Sequence, residues 1–260
     1  MEVFIFFCLL HLIGDFYLQS NMLAKCKESR VDEDCKECNE CLNNKIKSFN
    51  FKKIVNHVLI YIIPFILSMI YAIIYDLFDY RYGLNILDAL LGIIIISVTH
   101  VLIDIVSCIF KRRSKKSIVF IFDQVFHFLV IYIISKSLNI FDGFVISENI
   151  EIFNLLFVIL FVSKPTSIFI SLLFVDIYKD EKQGFGGPGS YIGIFERLII
   201  VALFYLQSVS LISIIIAAKT LVRYNDIKKD EENFQTKFLI GTLASIAITL
   251  ICLLLLIYIL

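Results

Sequence analysis

The stretch ILDALLGIIIISVTHVLIDIVSCIF, residues 86–110, decides how this chain folds. A bilayer core of roughly 30 Å needs about 20 residues of α-helix, so this apolar stretch predicts a membrane-spanning helix. His100 and Asp104 lie deep within it and are four positions apart. Four positions is about one helical turn, which places both side chains on one face. Ionisable groups at membrane depth are costly, and they mark a functional site by default.

Further apolar runs accompany this stretch in a chain of 260 residues that is 59% hydrophobic. The composition predicts an all-α fold, a polytopic membrane helical bundle, and not a soluble core. We expect seven or eight transmembrane helices, because Gln207 and Ser208 interrupt one run and favour two short helices that turn back there. The other runs are residues 3–19, 54–75, 118–134, 150–174, 191–218 and 238–260.

The charges predict the orientation of the helices and exclude one class of partner. The chain carries 24 basic and 24 acidic residues, so its net charge gives no indication of a nucleic-acid partner. Basic residues concentrate in loops 20–53 and 111–116. The positive-inside rule places these loops in the cytoplasm and the N-terminus outside. The expected partner is membrane lipid, and the sequence leaves the oligomeric state open.

Each of the four histidines lies in an apolar run or at its end, and three have an aspartate four positions away. Hairpin alternation of the first four helices would bring these residues to one level of an N-terminal four-helix bundle, within residues 1–140. Imidazole and carboxylate together suit Zn, Mn or Fe(II). A proton relay and polar contacts between helices are the alternatives. The candidate ligands are His11, Asp15, His57, His100, Asp104, Asp123 and His127.

Four cysteines in loop 20–53 form a second candidate metal site. Cys26, Cys35, Cys38 and Cys41 have the spacing C-x8-C-x2-C-x2-C. Four thiolates with C-x2-C spacing are compatible with a structural Zn site, and the run also has the spacing of iron–sulfur ligands. Reduced thiols without a metal are the alternative, since stable disulfides are rare in the cytoplasm.

The second half of the chain, residues 141–260, is expected to form further membrane helices. Its glycine-rich loop GFGGPGS, residues 184–190, matches no phosphate-binding fingerprint and is interpreted as a linker. We expect Glu196 to form an ion pair with Lys219 or Arg223. Proline at position 165 is expected to kink or end the fifth helix. Contacts with an anionic lipid head group are expected from Arg197, Lys219 and Arg223.

The site segments also resemble a known family. HLIGDFYLQ (11–19), THVLIDI (99–105) and FDQVFHFLV (122–130) resemble a bacterial membrane family, domain of unknown function 3307, and the likeness continues through GSYIGIFERLII (189–200) and FLIGTLAS (238–245). This resemblance implies an integral protein of the bacterial cytoplasmic membrane with these His and Asp positions, but no established activity. It also implies that the cysteine-rich loop is an insertion. The HVLID segment is similar to membrane-bound metal-dependent hydrolases.

The leading functional hypothesis is an intramembrane metal-dependent hydrolase that acts on a lipid- or isoprenoid-linked phosphate or ester near the cytoplasmic leaflet. In it, the histidines and one or two aspartates bind the metal, and a remaining aspartate among Asp15, Asp104 and Asp123 acts as general base. A transporter for metal ions or protons and a non-catalytic sensor or defence module are the alternatives.

Overall fold

The computed structural model describes residues 2–18, 51–79, 85–110, 114–138, 150–179, 187–222 and 232–259. Every regular element in these ranges is helical, as the sequence predicts. The predicted cysteine site (Cys26, Cys35, Cys38 and Cys41) and Arg223 lie outside the described residues, as do residues 184–186 of the glycine-rich loop.

The helices follow the predicted apolar runs. Helix α1, Glu2–Leu12, continues directly into a π-helical segment, Ile13–Tyr17. A short 3-10 turn forms at Val209–Leu211. The remaining helices are α2 (Phe51–Asp79), α3 (Ile86–Phe110), α4 (Lys116–Ser137), α5 (Ile150–Tyr178), α6 (Pro188–Tyr205), α7 (Ile212–Val222) and α8 (Glu232–Ile259).

Five helical segments within the described ranges are long and apolar enough to cross a membrane. Shorter apolar segments at Val3–Tyr17 and Val209–Val222 accompany them. These lengths and compositions are those of a membrane protein. The five segments are Asn56–Ile74, Ile86–Phe110, Lys116–Ser137, Ile150–Tyr178 and Gln235–Leu256.

The chain forms two compact units. The N-terminal unit comprises Glu2–Ser114 and Phe122–Glu148, and the C-terminal unit comprises Lys115–Ile121 and Asn149–Leu260. In the N-terminal unit, α1 and the π-helical segment pack against α2, which packs against α3. In the C-terminal unit, α5, α6 and α8 pack together around buried apolar side chains, among them Val158 and Leu253.

Helix α5 does not end at its proline. Pro165 lies inside a helix that continues to Tyr178, so of the two expected effects, a kink or an end of the helix, the end does not occur. Proline has no N–H for the carbonyl four residues earlier, which belongs to Phe161. The hydroxyl of Thr166 donates to that carbonyl over 2.9 Å. The acceptor is therefore satisfied inside the protein, as an apolar environment requires.

The predicted turn at Gln207 is confirmed. Helix α6 ends at Tyr205, Gln207 has a φ of 55°, and the chain resumes helix at Val209. The Nζ of Lys219 on α7 then lies 2.6 Å from a carboxylate oxygen of Glu196 on α6. This ion pair is one of the two predicted for Glu196, and it requires α7 to return alongside α6.

Candidate metal centre

The four histidines come together inside the N-terminal unit, although each belongs to a different helix. His11 lies on α1, His57 on α2, His100 on α3 and His127 on α4, and all four are buried. The ring of His127 lies 4.8 Å from that of His11 and 4.5 Å from that of His100, measured between centroids. The rings of His57 and His100 are 5.2 Å apart. The structure thus brings together the four histidines that the sequence predicts at one level.

Four ligand atoms converge on one point of this cluster. The Nε2 atoms of His57 and His100 are 3.0 Å apart. The Oδ2 atom of Asp104 lies 3.1 Å from the Nε2 of His57 and 3.6 Å from that of His100. The Oδ1 atom of Asp15 lies 3.7 Å and 3.8 Å from the same two nitrogens. The structure therefore places two carboxylates beside one pair of imidazoles, and these four residues come from three segments: the π-helical segment, α2 and α3.

These separations are those expected around a divalent cation. Zinc binds histidine nitrogen and carboxylate oxygen at about 2.0–2.2 Å, so ligands at the corners of a tetrahedron are about 3.3–3.6 Å apart. In an octahedron with similar bonds, neighbouring ligands are about 3.0 Å apart. The five distances above, each of which involves the Nε2 of His57 or His100, range from 3.0 to 3.8 Å and include both values. An ion could bind here with shifts of a few tenths of an ångström.

The π-helical segment determines where Asp15 lies. The amide of Leu18 donates to the carbonyl of Ile13 over 2.9 Å, a bond that encloses one more residue than an α-helical turn. The sequence predicts that Asp15 stacks beneath His11 at α-helical spacing. In the structure the Asp15 carboxylate, which lies in this widened turn, is within 3.8 Å of the Nε2 atoms of His57 and His100. The ligand group thus contains residues from α2 and α3 that spacing along one helix would not pair with Asp15.

Asp123 lies beside the four-atom group and is held by its own neighbours. Its Oδ2 atom accepts a hydrogen bond from Gln124 over 3.1 Å and is 3.8 Å from the Nδ1 of His127. The Nδ1 of His127 also lies 2.8 Å from the backbone carbonyl of Asp123. The predicted pair therefore forms on α4, and its carboxylate is oriented without belonging to the four-atom group.

Tyr61 is a site residue that the sequence predictions missed. Its hydroxyl lies 3.0 Å from the Nδ1 of His11. Its ring stacks on that of His100, with centroids 3.8 Å apart and planes at 3°. Tyr61 follows His57 by four positions on α2, so the spacing that identified the His/Asp pairs would also have identified it.

The predicted head-group residues lie in the C-terminal unit, where Arg197 is fully buried. Its guanidinium donates to the carbonyls of Val162 and Ser163 and to the hydroxyls of Ser167 and Ser245. These contacts place Arg197 inside the unit, away from any surface that a lipid head group could reach directly. Lys219 is partly buried in its ion pair with Glu196.

A family model described as "Protein of unknown function (DUF3307)" matches residues 3–153 of this chain. The match covers more than half of the chain and includes every member of the His/Asp cluster, so the chain belongs to this family. No curated protein and no solved structure matches the chain.

Proposed function

We propose that this member of the DUF3307 family is an intramembrane metal-dependent hydrolase whose divalent ion is bound by Asp15, His57, His100 and Asp104. Its substrate class would be a lipid- or isoprenoid-linked phosphate or ester, approached from the cytoplasmic leaflet of the bacterial membrane. In this proposal the chain crosses the membrane seven or eight times, with the first four helices as a bundle around the site. The ion would be Zn, Mn or Fe(II), which bind this ligand set.

The observation that carries the proposal is the convergence of four donor atoms from three segments, the π-helical segment, α2 and α3. Two ionised carboxylates in an apolar interior repel each other and lose hydration, which is unfavourable without a cation. A divalent ion offsets both costs. The side chains of Asp15 and Asp104 are 8% and 15% exposed, so substrate would approach from the Asp104 side.

Asp123 supports hydrolysis over simple metal storage. A divalent ion, when bound, polarises a phosphoryl or acyl oxygen and activates water. Asp123 is a third carboxylate beside the four-atom group, oriented by Gln124, and is the candidate to accept the proton of the attacking water. A site that only stored metal would have no use for this additional oriented carboxylate.

A transporter for metal ions is the second candidate. Its specific support is a pair of ligand groups, Asp15–His57–His100 and His100–Asp104–His127, which overlap at His100. An ion could step between overlapping groups, as ions do along a transport path.

Metal content tests the binding site. Protein purified in detergent should contain bound divalent metal by mass spectrometry, and Asp104→Asn should remove most of it. Asp88→Asn is the matched control, because Asp88 lies on the same helix and its carboxylate accepts a hydrogen bond from the Asn85 side chain. Metal-free wild-type protein that cannot be loaded with Zn, Mn or Fe(II) would refute the proposed centre.

Turnover separates the hydrolase from the transporter. Metal-loaded protein in mixed micelles would be supplied with a polyprenyl diphosphate, phosphatidic acid and a fatty-acyl ester. We expect product from at least one of these substrates, and loss of turnover with retained metal in Asp123→Asn. Metal flux into proteoliposomes without turnover of any of the three would contradict the hydrolase and support the transporter.

A further inference from the structure

We infer that the centre is binuclear, with a second divalent ion bound by His127 and bridged to the first through Asp104. This inference deepens the proposed function and rests on it. It also narrows the substrate class to phosphate esters and diphosphates, for the reason given below.

His127 is oriented as a metal ligand. Its Nδ1 lies 2.8 Å from the backbone carbonyl of Asp123, and a carbonyl oxygen can only accept, so Nδ1 carries the proton and donates. In neutral imidazole the lone pair is then on Nε2. That nitrogen is buried and makes no hydrogen bond within the described part of the chain. An imidazole whose other nitrogen donates to a backbone carbonyl is the usual arrangement of a metal-bound histidine.

The partners that His127 needs lie around it. His100, Asp104 and His127 each offer one ligand atom, and these atoms lie within 4.8 Å of one another. Opposed ligands around an octahedral ion are about 4.2–4.4 Å apart, so a small closure of the group suffices.

One of these three residues, Asp104, can bind both ions, because a carboxylate has two oxygens and each can coordinate a metal. Its Oδ2 lies 3.1 Å from the Nε2 of His57. A neutral imidazole has a single lone pair, so His100 binds one of the two ions. Asp104 is therefore the ligand that the two ions would share.

A binuclear centre favours one kind of substrate. Two ions about 3.5–4 Å apart stabilise both the attacking and the leaving oxygen when water displaces a group at phosphorus. In that step the water oxygen forms a bond to phosphorus, the ester or anhydride oxygen leaves with the bonding electron pair, and Asp123 accepts the water proton. A phosphate ester or diphosphate uses both ions in this way, whereas a carboxyl ester needs one.

Manganese alone is the probe for the second ion. Wild-type protein would be stripped with a chelator, loaded with Mn²⁺ and desalted, and its Mn content and electron paramagnetic resonance spectrum measured. We expect two Mn per chain with the spectrum of an exchange-coupled pair. His127→Gln should retain one Mn with the spectrum of an isolated ion, and Asp88→Asn should retain two.

The outcomes distinguish this inference from the function on which it rests. One Mn per wild-type chain, with an isolated-ion spectrum, would overturn the binuclear centre and leave the mononuclear hydrolase intact. No bound Mn, Zn or Fe(II) would overturn both. Because the wild-type measurement needs no variant, a failure of His127→Gln to fold would not affect the test. Hydrolysis of the acyl ester but not of the two phosphate substrates would refute the narrowed substrate class.

Discussion

Substitution of Gly14 by alanine should impair the centre without touching any proposed ligand. Gly14 lies in the π-helical segment, directly before Asp15. A Cβ at this position would lie 2.8 Å from the carbonyl oxygen and 3.0 Å from the Cδ2 of Tyr61. An ordinary van der Waals separation is about 3.4 Å or more, so the segment and α2 must separate by roughly 0.6 Å. The carbonyl is backbone and cannot rotate away.

The expected cost follows from that displacement. Overpacking of this kind costs about 1–3 kcal/mol, which exceeds the gain of about 0.5–1 kcal/mol from replacing glycine by alanine in a helix. The separation also moves Asp15 away from His57, from which it is now 3.7 Å distant. Loss of a residue that positions metal ligands typically weakens metal binding by about 10–100-fold. We therefore expect a lower unfolding temperature and a Kd for Mn²⁺ raised by about that factor.

The assay is Mn²⁺ titration of purified, stripped protein, with thermal unfolding in the same detergent. Gly189→Ala is the control, because a Cβ at Gly189 meets nothing within 4 Å, and both measurements should stay at wild-type values. Wild-type Mn²⁺ affinity in Gly14→Ala would refute the close approach of the π-helical segment to α2. Equal losses in both variants would show that the effect is not specific to this contact.

Three other substitutions test contacts within single units. Arg197→Lys should lower the free energy of unfolding by about 2–3 kcal/mol, because one ammonium group cannot replace a guanidinium that donates to four acceptors. An unchanged unfolding temperature would contradict this prediction. Asp176→Ala should lower the free energy of unfolding by about 1–2 kcal/mol, because the Asp176 carboxylate caps the start of α4 by accepting hydrogen bonds from the amide and the hydroxyl of Ser117. The readout is faster amide hydrogen exchange at the start of α4. Unchanged exchange would contradict this capping role. Tyr61→Phe should keep the ring stack on His100 but lose the hydrogen bond to His11. Mn²⁺ affinity should therefore fall less in Tyr61→Phe than in Tyr61→Ala. Equal losses of Mn²⁺ affinity in the two variants would show that the ring stack contributes nothing to binding.

Periodicity in the sequence predicted the parts of the site that straight helices control. His100 and Asp104 on α3 approach to 3.6 Å, and Asp123 and His127 on α4 approach to 3.8 Å, each four positions apart. Both distances follow from 3.6 residues per turn. The partners of Asp15 could not be predicted in this way, because the residue types of Ile13–Tyr17 do not indicate a π-helical turn.

Among the side-chain contacts between helices, those that the sequence predicted involve a buried charge that needs an oppositely charged partner. The Glu196–Lys219 pair was expected because a lone carboxylate in an apolar run needs a partner. The continuation of α5 through Pro165 depended on a hydroxyl one residue later reaching back to the Phe161 carbonyl, and many threonines near proline make no such bond. The ring stack of Tyr61 on His100 depends on the distance between α2 and α3, and helical periodicity does not predict that distance.

The π-helical turn also bears on which sequence changes this site tolerates. A turn closed by a bond from residue 13 to residue 18 holds one residue more than an α-helical turn, so it is equivalent to a local insertion. Deleting one residue between positions 13 and 15 would restore an ordinary α-helix of nearly the same hydrophobicity. In that helix the aspartate would follow α1 at ordinary α-helical spacing, without the widened turn. The position of Asp15 towards two histidines, and not towards surrounding apolar side chains, thus depends on a single residue of backbone length.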